Sequence, residues 1–91
     1  MPYIKDHRRR FFDQYIEPFI KYIDSEGELT YIVYKICLEY AYKNKVSFAI
    51  LSNAIKALEC AKLEFYRKEL APYEDEKIKE NGDVTVTMRR K

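Results

Sequence analysis

The sequence predicts an all-α fold: a small helical bundle of three main helices plus a short C-terminal helix, oligomeric. Two observations carry this expectation. Apolar side chains recur at three- and four-residue spacing over three long stretches, and helix start and stop residues stand between those stretches. A third observation points to assembly. At 91 residues the chain is one domain, near the size at which a single core buries only about two thirds of the unfolded surface.

The first helix is expected from Asp6, read as its N-cap, to about Asp24. Phe11, Phe12, Tyr15, Ile16, Phe19, Ile20 and Ile23 share one arc at 100° per residue. Pro18 lies inside this stretch, so the helix either kinks there or divides into two pieces. Ser25-Glu26-Gly27-Glu28 reads as a turn and a helix start. The second helix then covers about Glu28 to Lys43, with Leu29, Ile32, Val33, Ile36, Cys37 and Tyr40 on a core face. Its opposite face, Tyr31, Tyr34, Leu38 and Tyr42, is apolar as well. A helix apolar nearly all round is normally covered on both sides, and so short a chain has little left to do it. Those four residues are therefore the expected oligomer interface.

Lys43-Asn44-Lys45 is a short connection, and Ser47 is a good N-cap for a third helix from Phe48 to about Leu70. Its Ala54, Ala57 and Ala61 permit close approach of another helix. Pro72 either kinks this helix or opens a fourth at its N1 position, with Glu74 and Asp75 suitably acidic for a first turn. Asn81-Gly82 closes that segment. Val84 to Met88 alternates with period two, but a lone strand has no partner within the chain. The organisation read from this is one helical domain over residues 1–84 and a flexible tail over 85–91.

Composition narrows the function. The net charge is +2, from 17 basic and 15 acidic residues, which argues against a DNA or RNA polymer and against a membrane surface. No apolar run approaches the roughly 20 residues that span a bilayer, and no signal-peptide pattern is present, so the expected location is the cytoplasm. Charge is unevenly placed: His7-Arg8-Arg9-Arg10 and Arg89-Arg90-Lys91 are basic, while Glu74-Asp75-Glu76, Glu80 and Asp83 are acidic. The two ends are thus able to pair within a chain or between neighbouring subunits, although solvated charges with little coupling are the plainer account.

Cys37 and Cys60 are too few and too far apart for a disulfide framework or a zinc site, and they read as reduced helix residues. There is one histidine, His7, and there are two glycines, so neither a nucleophile–base pair nor a phosphate-cradling loop is in view. No enzyme, no cofactor and no metal is the expectation. A small hydrolase working through Glu59, Glu69 and Glu74 is the catalytic alternative, since carboxylates are plentiful.

The most informative anomaly lies on the third helix. Glu59, Lys62, Tyr66 and Glu69 form one stripe, and Lys62 falls between Leu51 and Ile55 inside the apolar arc. Charges there need a partner or a polar cavity. The stripe is therefore either an ion pair at the core edge or the lining of a pocket. Tyr66 and Arg67, followed by Tyr73, bring planar and cationic groups together, as a nucleobase and its phosphate require. Tyr at a core edge with a solvated Arg is the plain alternative.

From Gly27 onward the sequence resembles a group of small helical proteins of bacteriophages and bacteria. The resemblance rests on Gly27-Glu28-Leu29 with Tyr31, on Leu58-Glu59-Cys60, and on Lys62-Leu63-Glu64-Phe65-Tyr66-Arg67. It continues through Ala71-Pro72-Tyr73-Glu74-Asp75, Lys77-Ile78 and Glu80-Asn81-Gly82-Asp83-Val84, and the opening Met1-Pro2-Tyr3-Ile4-Lys5 is similar too. The chain departs from the pattern after Val84. Phage proteins of this size and build include families that sequester nucleotide immune signals, so the resemblance implies an anti-defence function by analogy. The leading expectation is a nucleotide-binding sponge in the host cytoplasm, holding a nucleotide second messenger without catalysis. Its ligand-binding residues would be Glu59, Lys62, Tyr66, Arg67, Tyr73, Lys77, Asn81 and Asp83. The alternative is an oligomeric interaction module that docks a protein partner through the second helix.

Overall fold

In the computed structural model, which describes residues 3–82, every regular element is helical. The elements are α1 (Asp6–Ile20), α2 (Glu26–Tyr42), α3 (Phe48–Phe65), a single π-helical turn (Tyr66–Leu70) and α4 (Ala71–Asn81). The chain divides into two units, Met1–Lys43 with α1 and α2, and Asn44–Lys91 with the remainder. The period-two segment after Val84 lies outside the described residues.

In the first unit, Asp6 is the first helical residue of α1 and Lys5 is the cap, without a side-chain cap bond. Asp6 does a different job from the one its residue type suggests. Its carboxylate accepts from Arg9 at 3.1 Å and from Arg10, one turn further along. Pro18 is tolerated because it sits near the end: α1 closes two residues later, and Tyr22 and Ile23 donate to Phe19 and Ile20 in a tighter turn. α2 starts at Glu26, two residues earlier than expected. Ser25 Oγ accepts from the Glu28 N–H at 3.1 Å, and Glu28 reaches back to the Asp24 N–H at 2.7 Å. These two bonds satisfy donors that a bare helix end leaves open.

In the second unit, Ser47 caps α3 by accepting from the Ile50 N–H at 3.2 Å. The third and fourth helices anticipated from Pro72 are one continuous helical run from Phe48 to Asn81. Proline has no N–H, and its ring crowds the carbonyl four residues earlier, here that of Lys68. The chain meets this by widening. The Ala71 N–H bonds back to the Tyr66 carbonyl, five residues earlier, and α-geometry then resumes with Pro72 in the first turn of α4. Gly82 ends the run at φ +86°, where its N–H donates to Ile78 at 2.8 Å. A side chain with a Cβ is strained in that conformation.

What the helices do not do is bury their apolar residues. Among the described residues only Ala41 and Ala54 are buried, and both are small. The expected core face of α2 is largely in solvent, with Leu29 at 50 % and Ile36 at 60 % exposure. Tyr31, Tyr34 and Tyr42 on the opposite face stand near 60 %, and Leu38 is half-buried.

The two serine caps should be separable contributions. Ser25→Ala and Ser47→Ala are each expected to lower stability by about 1 kcal/mol in urea unfolding, because each leaves one helix-terminal N–H without its acceptor. An unchanged midpoint in both variants would contradict the capping geometry.

Candidate functional site

The sequence points to one stripe in the second unit, and a single helical run carries it. Glu59 and Lys62 on α3 form an ion pair at 3.3 Å, with both side chains more than half exposed. Lys62 is therefore not sunk in an apolar arc within one chain. Its charge is hydrated and paired three residues away, a geometry worth little on its own.

Tyr66 and Arg67 open the π turn. Arg67 donates to both oxygens of Glu64, at 2.9 and 3.0 Å, and Lys68 approaches the same carboxylate at 3.4 Å. The Arg67 hydrogen bond is the main reason the Glu64 carboxyl lies below its ordinary range, against a smaller opposing effect of burial. Tyr66 donates its hydroxyl to Glu74 at 2.8 Å across eight residues. In a plain α-helix two turns bring residue i over i+7, but the π turn inserts one residue and brings i+8 into place. That hydrogen bond, followed by the Glu74 charge, raises the Tyr66 pKa above its ordinary 10.0.

On α4, the Lys77 ammonium stands 5.5 Å from the centre of the Tyr73 ring and 3.4 Å from Glu80. Asn81 is exposed at the last helical position. Asp83 lies outside the described residues. The structure thus places Tyr66, Arg67, Tyr73, Lys77 and Asn81 along one run, exposed, with Arg67 and Lys77 partnered by carboxylates of the same run. A phosphate ligand would have to compete for those cations. Glu64 and Glu74 are absent from the expected ligand-binding set, yet they accept the hydrogen bonds of its Arg67 and Tyr66. Helical spacing is a sufficient signal for Glu64, whereas Glu74 requires the π turn to be anticipated from Pro72.

The first unit carries a groove of about 530 Å³ where α1 gives way to α2, lined by Phe19, Tyr22, Ile23, Tyr31 and Ile32, with Glu28 at its polar edge. Tyr31 thereby belongs both to the expected interface stripe and to this groove. Further along α1, the Arg8 guanidinium stands 4.9 Å from the centres of both the Phe11 and Phe12 rings, and Phe11 meets Phe12 and Tyr15 edge to face. Among the described residues no cluster of His, Cys, Asp or Glu has the geometry to hold a metal, and no helix is long and apolar enough to cross a membrane. Cys37 and Cys60 are not joined in a disulfide.

Residues 1–84 match the profile of a family described as a domain of unknown function (DUF6899), and the chain belongs to that family. Comparison with curated proteins and comparison with solved structures find no match.

The Tyr66–Glu74 bond predicts a pH signature. Because the folded-state pKa of Tyr66 is raised, its contribution to stability is complete below the ordinary tyrosine value and is lost as pH rises through the folded value. In NMR titration of the tyrosine rings, Tyr66 should ionise later than it does in Glu74→Gln. Equal midpoints in the two proteins would contradict the bond.

Proposed function

We propose that this member of the family works as a homo-oligomeric helical interaction module, binding rather than catalysing, with α2 as the element its partners cover. One observation carries the reading: among the described residues two alanines are buried, while every helix keeps large apolar side chains in water. Scattered exposed apolar residues are ordinary, but contiguous faces of them mark interaction surfaces.

The magnitudes favour assembly. An aromatic side chain carries roughly 150–250 Å² of buriable surface. Tyr31, Tyr34 and Tyr42, more than half exposed, therefore offer on the order of 350 Å² per copy. At about 25 cal/mol per Å² that is roughly 9 kcal/mol. Association costs about 4–15 kcal/mol before any net affinity appears, so this stripe alone is marginal. A standard interface buries about 800 Å² per partner, which requires further faces to join it. The four-residue stripe is thus a part of the interface, and the small helical bundle is completed by other copies.

A second reading concerns what the assembly holds. The Tyr66 and Tyr73 rings, with Lys62, Arg67 and Lys77 along the same run, are suited to stacking on bases and meeting phosphate. In this reading the oligomer sequesters a nucleotide second messenger without cleaving it, as an anti-defence sponge in a host cytoplasm. The exposure of both rings, 47 % and 60 %, is what supports it.

Two experiments test these readings. Sedimentation at micromolar concentration should give a mass that is a multiple of 11.0 kDa, and Leu38→Lys should shift the protein toward monomer or aggregate by placing a charge in the contact. A monomeric wild type contradicts the assembly. For the second reading, calorimetry against cyclic and linear nucleotides should find a binder that Tyr73→Ala weakens roughly ten- to a hundredfold with helicity retained. Absence of binding across the panel, or equal affinity in Tyr73→Ala, removes nucleotide stacking and leaves the interaction module.

A further inference from the structure

We infer that the aromatic face of α1 docks on α4 of a second copy, with Arg8 of one chain meeting Asp75 of the other. This rests on the assembly reading and goes beyond it by naming which surfaces meet.

The argument starts from a cation in the wrong place. At 100° per residue Phe11, Tyr15, Phe19 and Phe12 form one arc of α1, and Arg8 falls in its middle, between Tyr15 and Phe19. Of its neighbours, Arg10 lies on the opposite side and Arg9 beyond the aromatic rings, between Ile16 and Ile20, and both are held by Asp6. Among the described residues Arg8 makes no ion pair; its guanidinium rests against the Phe11 and Phe12 rings instead. In water that arrangement is adequate. Once the arc is covered, the guanidinium loses its hydration, and a buried unpaired charge is costly. Whatever covers this face must therefore bring an anion into an apolar contact.

α4 offers that combination. Ala71 and Ile78, one turn before and one turn after Asp75, make a narrow apolar line beside it, and Leu70, exposed, precedes them. The other carboxylates of α4 are engaged: Glu74 holds the Tyr66 hydroxyl, Glu76 pairs with Lys79 and Glu80 with Lys77. Asp75 forms no hydrogen bond or ion pair among the described residues. Among the other carboxylates, Asp13 and Glu17 lie on the polar side of α1 itself, and Asp24 and Glu26 sit at the start of α2, where its dipole favours them. Glu69 is also without a hydrogen bond or ion pair among the described residues, but it stands in the π turn ahead of α4, away from the Ala71–Ile78 line.

The area fits as well. Phe11 and Phe12 at 41 % and Tyr15 at 62 % exposure offer on the order of 300 Å². Added to the α2 stripe, this approaches the roughly 800 Å² per partner of a standard interface. The occupant is a second copy of this chain because the same sequence supplies both halves, an arc that needs an anion and an apolar line with a spare one.

A charge exchange between copies tests the contact. R8E and D75R, each checked for helicity by circular dichroism, should self-associate at least about tenfold more weakly than wild type in sedimentation, since each brings like charges together. An equimolar mixture of the two should regain association. In an alternating assembly the glutamate introduced in one variant faces the arginine introduced in the other, and the remaining contacts are the native Arg8–Asp75 pair. Wild-type-like assembly by either single variant overturns the contact, and so does a mixture that stays dissociated. If wild type itself is monomeric, the assembly reading fails first and takes this contact with it.

Discussion

Apolar surface left in water is the constraint on which the rest of this structure depends. Helix formation satisfies the backbone hydrogen bonds, and Ser25 and Ser47 close two of the helix ends. Neither step removes Phe, Tyr, Ile or Leu side chains from solvent, and hydrophobic burial is the dominant favourable term in folding. In proteins most helical stability comes from tertiary packing of an apolar face. Among the described residues only Ala41 and Ala54 are buried, so little of that packing lies within either unit. In the proposed reading, assembly is a condition of the fold and not an addition to it, and α2, apolar on both sides, is the element other copies cover.

The second unit shows how one residue rearranges a surface without ending a helix. Pro72 removes a donor and crowds a carbonyl, and the π turn absorbs both effects. The inserted residue rotates α4 relative to α3, so that Tyr66 meets Glu74 where a regular helix would present its neighbour Tyr73 at that face. Surface ion pairs then run the length of the segment, Glu59–Lys62, Glu64–Arg67, Glu76–Lys79 and Lys77–Glu80. Apart from the half-buried Glu64, their side chains are exposed, and such pairs are individually weak. Their joint effect is to leave few charges of α4 uncommitted, which gives Asp75 its significance.

The legible part of the fold is the part that periodicity and caps determine. Ser25, Ser47 and Gly82 act where their types predict, and the three apolar stretches are helical. Local rules fail where two of them compete. Asp6 looks like a cap but lies inside the first turn, because Arg9 and Arg10 give its carboxylate better partners. Pro72 looks like a break, yet the π turn carries the helical run past it. At the site, the helical wheel puts Lys62 in an apolar arc, but a wheel records direction and not coverage. Both side chains of the Glu59–Lys62 pair are more than half exposed. The Arg8 anomaly is visible in the sequence by the same wheel. Its meaning needs the structure, which shows Arg9 and Arg10 committed to Asp6 and Arg8 resting on rings.

Concentration dependence of thermal unfolding tests the central claim most directly. If folding and assembly are coupled, the unfolding midpoint rises as chain concentration rises, by mass action on the associated state. A midpoint increasing steadily from about 1 to about 100 μM chain is the expected result, over the range in which association at ordinary interface strength responds to dilution. A cooperative transition whose midpoint is the same at both ends of that range would show that a single copy is stable alone, and would contradict the account.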